Sequence, residues 1–156
     1  MSLEEQMQIK MSLYDHCQKY VLGLLAEARR GVHESREAAN LEEKSSAGDK
    51  FETHRAMMHL QMESFIKRSS VAESLEFQLS TLRIKPMSQV QLGALVETEE
   101  RWYFIAVSAP SIEIGGIKYT CISTDAPLFH ALQGAIAGDW IEWGEDEAEI
   151  EIVSVS

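Results

Sequence analysis

In residues 1–85 the apolar and small positions recur at alternating steps of three and four. One series is Tyr14, Cys17, Val21, Leu24, Ala28, Gly31, Ser35 and Ala38. A second is Met58, Met62, Phe65, Ser69, Ala72, Leu75, Leu79 and Leu82, with one irregular step after Ala72. A repeat averaging about 3.5 residues is the signature of a coiled-coil seam, because it keeps one narrow stripe facing a partner helix. No proline interrupts this half, so long helices are unobstructed. Between the two series lies Lys44-Ser45-Ser46-Ala47-Gly48-Asp49, the one turn-like cluster. Ser46, with Asp49 three residues on, can accept the free amides at a helix start. The pattern predicts an antiparallel helical hairpin that folds back near Ser45–Gly48, each arm about 50 Å long. Its seam carries Tyr14, Leu24, Leu79 and Leu82 near the base. Towards the turn stand Gly31, Ser35 and Ala38, whose small size lets the helices approach closely.

After Pro86 the pattern changes. All three prolines and six of the nine glycines fall here. Val90–Thr98, Arg101–Val107, Ile117–Ser123, Trp140–Trp143 and Ala148–Val155 are rich in Val, Ile and aromatic residues and read as strands, with Glu-Glu and Gly-Gly turns between them. Pro127–Gly134 reads as a short helix with proline in its first turn and glycine at its end. The predicted class is α+β: an N-terminal coiled-coil hairpin over residues 1–85, with its tip near 42–52, then a small β domain over 86–156.

The chain has 156 residues, 45% hydrophobic and 25% charged, which is the composition of a folded protein. No apolar run approaches the roughly 18 residues that would span a membrane, and the N-terminus lacks a secretory pattern. Two distant cysteines without CxxC spacing point to reduced core thiols rather than a zinc site or disulfide framework, so a cytoplasmic location is expected. The net charge of −11 is unevenly divided. Residues 1–85 hold 12 basic and 13 acidic side chains; residues 86–156 hold 2 and 12. A half carrying −10 repels phosphate backbones and suits a basic or apolar protein surface. The first half can lie near nucleic acid without strong repulsion.

The most specific run is Ile122-Ser123-Thr-Asp125-Ala-Pro127-Leu128-Phe-His-Ala131-Leu132-Gln-Gly134-Ala-Ile-Ala-Gly138-Asp139. It resembles the I-S-x-x-S-P-[LIM]-x-x-A-L-x-G-x-x-x-G-D run of the bacterial transcript-cleavage factors GreA and GreB, with alanine where that family usually has the serine before proline. A helical hairpin followed by a small β domain resembles the same family, which implies an FKBP-like fold for residues 86–156. At the hairpin turn the family has Gly-Asp-x-x-Glu, and this chain has Gly48-Asp49-Lys-Phe-Glu52. A competing register sets the family's Asp-Leu-Lys-Glu on Asn40-Leu41-Glu42-Glu43. The first register keeps both carboxylates and the glycine.

The resemblance implies an elongation factor whose β domain docks on RNA polymerase. Its hairpin enters the secondary channel and stimulates cleavage of backtracked RNA by the polymerase's own active centre. The protein is then not itself an enzyme; it holds no stable cofactor and acts as a monomer with no membrane contact. Asp49 and Glu52 become the catalytic acids, sharing a Mg²⁺ held in the polymerase, with Glu43 and Glu42 as secondary acids. Arg55 and Lys50 become the residues near nascent RNA, and Ser123, Asp125 and Pro127 the docking residues. DNA binding enters only as a family-level expectation. The chemistry agrees with this assignment: two carboxylates three residues apart at a helix start share one face and can hold an ion or orient a water.

Simpler readings stand beside these. Acids at a helix N-terminus favour capping and the helix dipole, and helix-surface cations such as Arg29, Arg30, His33 and Arg36 usually only solvate. Cys17 reads as a seam residue packed in a core separate from that of Cys121, and Trp102, Tyr103 and Phe104 read as core. Two other functions remain open: a channel-binding regulator without cleavage activity, and a prolyl isomerase or chaperone using residues 86–156, since a fold alone does not fix an activity.

Overall fold

In the computed structural model the two periodic series fall on two long helices, α1 (Leu3–Glu43) and α2 (Gly48–Thr81), with Leu82 just past the end of the second. The structure describes residues 1–43 and 48–156, and the side chains of all but 42–51. The expected Ser46 cap and the side chains of the turn lie outside the described residues. The chain divides into two compact units, Lys19–Phe77 and Met1–Gln18 together with Gln78–Ser156. Both helix bases thus fall in the same unit as the β strands.

In the unit Lys19–Phe77 the helices run antiparallel, with Gly31 against Phe65 and Arg29 within 3.5 Å of Glu73. Every member of the second series is buried or half-buried, whereas its helical neighbours, apart from the half-buried Gln78, are exposed. On α1 the stripe drifts by one residue at several turns. Leu13, Leu25 and Ala39 are buried, while Tyr14, Leu24 and Ala38 are half-buried. A helix of 3.6 residues per turn slides past a strict 3.5 repeat in this way.

Gly31 shows why small residues occupy the distal seam. A Cβ there would fall 2.3–2.5 Å from three atoms of the Phe65 ring, over which the Arg68 guanidinium lies at 5.1 Å. Gly31→Leu should lower the stability of this unit by about 1–3 kcal/mol through overpacking. In a Phe65→Ala background Gly31→Ala should instead gain up to about 1 kcal/mol of helix propensity. Thermal melts of the two pairs check this, and a higher melting temperature for Gly31→Leu in the parent would refute the contact.

The other unit holds six strands: β1 (Leu95–Thr98), β2 (Trp102–Ala106), β3 (Ala109–Ile114), β4 (Ile117–Ser123), β5 (Trp140–Trp143) and β6 (Ala148–Val155). A short helix, α3 (Pro127–Leu132), lies between β4 and β5. The sheet order is β3-β4-β2-β1-β6-β5, with β2 and β4 parallel and the other neighbours antiparallel. β4, β5 and β6 have the expected bounds. β3 is an addition, and it is an edge strand, where Pro110 removes no interior ladder bond. It turns into β4 through Gly115 and Gly116 at φ +60° and +80°, as a tight hairpin requires. The expected strand over Val90–Thr98 shortens to β1 because Gly93 takes φ +91°, while Val90 instead exchanges backbone hydrogen bonds with Gly134 and Ala135.

Val96, Tyr103, Ile105 and Ile152 face one core with Phe129 and Leu132 of α3. Leu95, Phe104 and Cys121 are neighbours across the ladder on the opposite face, and all are buried. There the base of α1 meets the sheet. Lys10 Nζ donates to the carbonyls of Lys85 at 2.7 Å and Ser156 at 2.9 Å, and the Cys17 and Cys121 thiols share a hydrogen bond. The reading that put these cysteines in separate cores is corrected: both are free and buried, and they lie together. Their 104-residue separation hides a contact that only sheet formation makes.

Candidate functional site

The run Ile122–Asp139 separates into residues that build the fold and residues that face outwards. Ile122, Leu128, Phe129 and Leu132 pack on the core. Pro127 opens α3 in its first turn, where a missing N–H costs nothing. Gly134 and Gly138 stand at φ +79° and +92°, a region that glycine enters without steric cost. The Asp139 carboxylate accepts the Ile136 N–H at 3.0 Å. Most of the motif is thus spent on the turn into α3 and the turn out of it.

The run is exposed at Asp125 and Pro127, in the loop leading into α3, and again at His130, Gln133, Gly134 and Ile136–Gly138. The Ser123 hydroxyl accepts the Asp125 N–H at 3.2 Å, and the Ser123 carbonyl accepts the Ala126 N–H at 3.1 Å. The Gln78 amide donates to the Thr124 hydroxyl at 3.1 Å, tying the loop to the end of α2. Ser123 is half-buried beneath the loop, whereas Asp125 and Pro127 are exposed. The expected docking trio is therefore brought together, with Ser123 as the support and the other two presented to solvent. Such a surface offers one carboxylate on a backbone fixed by proline and three hydrogen bonds, a pre-ordered contact for a cationic partner.

The tip residues divide otherwise. The side chains of Asp49, Glu43, Glu42 and Lys50 lie outside the described residues. Glu52 and Arg55 are exposed on the first turns of α2, three positions apart and so on one face of the helix. Several first-arm cations have acidic partners. Arg29 pairs with Glu73 at 3.5 Å, Arg30 with Glu34 at 4.0 Å and His33 with Glu37 at 3.2 Å. Exposed pairs like these contribute little stability. Among the described residues no three His, Cys, Asp or Glu side chains gather as metal ligands, and no helix is long and apolar enough to cross a membrane.

No protein-family model matches the chain, and no curated protein does. Solved structures do. The transcription factor Gfh1 is matched with a TM-score of 0.39 at 17% identity, over 90% of this chain and 93% of that one. The prokaryotic transcription elongation factor GreA/GreB from Nitrosomonas europaea is matched with a TM-score of 0.34 at 24% identity, over 55% of this chain and 78% of that one. The GreA factor homolog Gfh1 of Thermus thermophilus is matched with a TM-score of 0.34 at 16% identity, over 89% and 94%. All three scores are below 0.5 and all three identities below 25%, so the functional reading rests on the chain's own residues.

Proposed function

We propose that this protein is an accessory transcription factor that docks on RNA polymerase through the Ser123–Pro127 loop and stimulates cleavage of backtracked RNA with its hairpin tip. The observation that carries the reading is the Ile122–Asp139 run. Its fold-building residues are each used as such, and two of its exposed positions, Asp125 and Pro127, sit on an ordered loop. The charge distribution supports the same assignment. A half carrying −10 suits a cationic protein rim, while the balanced half can approach RNA.

In this reading the hairpin does no chemistry alone. Asp49 and Glu52 add carboxylate oxygens to an ion that the polymerase holds, and Arg55 and Lys50 face the RNA phosphates. A Mg²⁺ ion bound there supplies charge neutralisation and a more acidic water. The chain's part is to place negative oxygens three residues apart at the start of α2. The test is cleavage of a stalled elongation complex of the cognate polymerase, with and without the protein. Faster release of short 3′ RNA fragments is the expected result. Binding without cleavage would make the protein an occluding regulator of the same channel, and no binding would end the reading.

Docking has its own test. The double substitution Asp125→Asn, Pro127→Ala should weaken polymerase affinity by about tenfold or more, while the thermal melt stays within about 1 kcal/mol of the parent. Unchanged affinity in a co-sedimentation or calorimetric titration would remove the loop from the interface.

A further inference from the structure

Strand β6 outruns its neighbour β1. Pairing between the two ends at Thr98 opposite Ile152, so Ala148–Glu151 have β5 on one side and no strand on the other. Ile152 directs its N–H to Asp139 and its C=O to Gly138, both towards the β5 side. Backbone groups alternate sides along a strand, so Glu149 aims both of its groups and Glu151 its N–H at the open side, while the pairing at Thr98 engages the Glu151 carbonyl. A groove of about 340 Å³ lies there, bounded by Thr98–Arg101, Tyr103, Trp143 and Ala148–Glu151, so that four carboxylates (Glu99, Glu100, Glu149, Glu151) and one cation (Arg101) line it. Trp143 shares a face with the core residue Ile141 and is 36% exposed. With Tyr103 and Ile150 it gives the groove an aromatic and apolar wall.

The opposite face is strongly acidic. Glu142 stands directly across from Glu149, and Glu151 follows two positions on. Like charges directly opposed on a sheet repel. Among the described residues no Lys, Arg or His pairs with any of the three, and no Lys or Arg follows Lys118 in the sequence.

We propose that this slot receives a basic, extended segment of a partner protein, which adds as a short strand beside Ala148–Glu151. Three features select such an occupant. The outward backbone groups of Glu149 and the Glu151 N–H suit an extended chain. The Trp143–Tyr103–Ile150 wall takes an apolar side chain at every second position. The opposed carboxylates take Lys or Arg at the positions between, relieving their mutual repulsion. The same charge excludes nucleic acid and anionic membranes. This inference does not depend on the polymerase reading.

The bland account of the same acids is that they guard an open strand edge against self-association, and one experiment separates the two. The probe is the peptide acetyl-Lys-Val-Lys-Val-Lys-Val-amide, titrated into the full chain at low salt by calorimetry and by amide NMR. The control replaces each valine by proline, keeping the charge and abolishing strand pairing. Saturable binding is expected, with the largest shifts at the Glu149 and Glu151 amides. The proline peptide should bind at least about tenfold more weakly, and Trp143→Ala and Glu149→Gln should each cost about tenfold. Glu151→Gln, which leaves the aromatic wall intact, keeps the test readable if Trp143→Ala unfolds. Equal affinity for the two peptides, shifts confined to the outer edge of β5, or no binding would each overturn the proposal.

Discussion

Asp49→Asn should reduce stimulated RNA cleavage by at least about two orders of magnitude, while binding to the polymerase stays close to that of the parent. Glu52→Gln should behave alike. On the proposed function, docking comes from the Ser123–Pro127 loop and the hairpin flanks, so it is already complete before any phosphodiester is attacked. The tip carboxylates matter only as charge develops on the attacked phosphate, and interactions confined to the transition state alter rate rather than affinity. Asparagine preserves the size of Asp49 and much of its capping ability, so a loss of rate reports the missing charge. The Mg²⁺ concentration needed for half-maximal cleavage should rise in both variants, since each removes an oxygen ligand. Glu43→Gln is the control for the other register. If it alone abolishes cleavage, Asn40–Glu43 is the working segment. If Asp49→Asn and Glu52→Gln cleave like the parent, the acids at the start of α2 are ordinary helix caps.

The hairpin was legible because its signal is periodic and local. Met58, Met62, Phe65, Ser69, Ala72, Leu75, Leu79 and Leu82 form a stripe that needs no other part of the chain to be recognised, and all eight are buried or half-buried. β5 and β6 were legible for a similar reason, as alternating runs closed by turn residues. β3 was not, because Pro110 argues against a strand unless its place at the sheet edge is already known. Tertiary context also decided the cysteines. Nothing at Cys17 or Cys121 announces the other, and their contact exists only once β4 is laid against α1. The proposed docking loop is legible only through a resemblance, and the structure adds a distinction that the motif lacks: Ser123 lies half-buried beneath the loop, whereas Asp125 and Pro127 are exposed. The groove beside β6 has no sequence signature, since it arises from two strands of unequal length.

Folding stability should rise as pH increases from about 8 towards 10.5, and Lys10 should be a principal cause. Lys10 is fully buried at the base of α1, with its ammonium spent on the Lys85 and Ser156 carbonyls. Burial, aided by the nearby Lys85 charge, lowers its pKa from 10.5 to about 8. Below pH 8 both the folded and unfolded chains carry this proton, so the cost of burying the charge is fully present. Between about 8 and 10.5 the folded state has released the proton and the unfolded state retains it, so the unfolded state binds more protons and stability increases with pH. Above the unfolded value the cost has gone. Discounted for partial screening, the gain across the window is on the order of 2 kcal/mol. Cys17 and Cys121 complicate the same range. Their shared hydrogen bond lowers the pKa of Cys17 and raises that of Cys121, so their contributions run in opposite directions. A difference measurement removes both. Urea unfolding of the parent and of Lys10→Met at pH 7.5 and 10 compares two proteins with identical cysteines, and only the parent should gain the Lys10 increment. Equal pH dependence in the two proteins would mean that the Lys10 amine keeps an ordinary pKa and meets water, and that the base of α1 is less tightly closed on Ser156 than the hydrogen bonds describe.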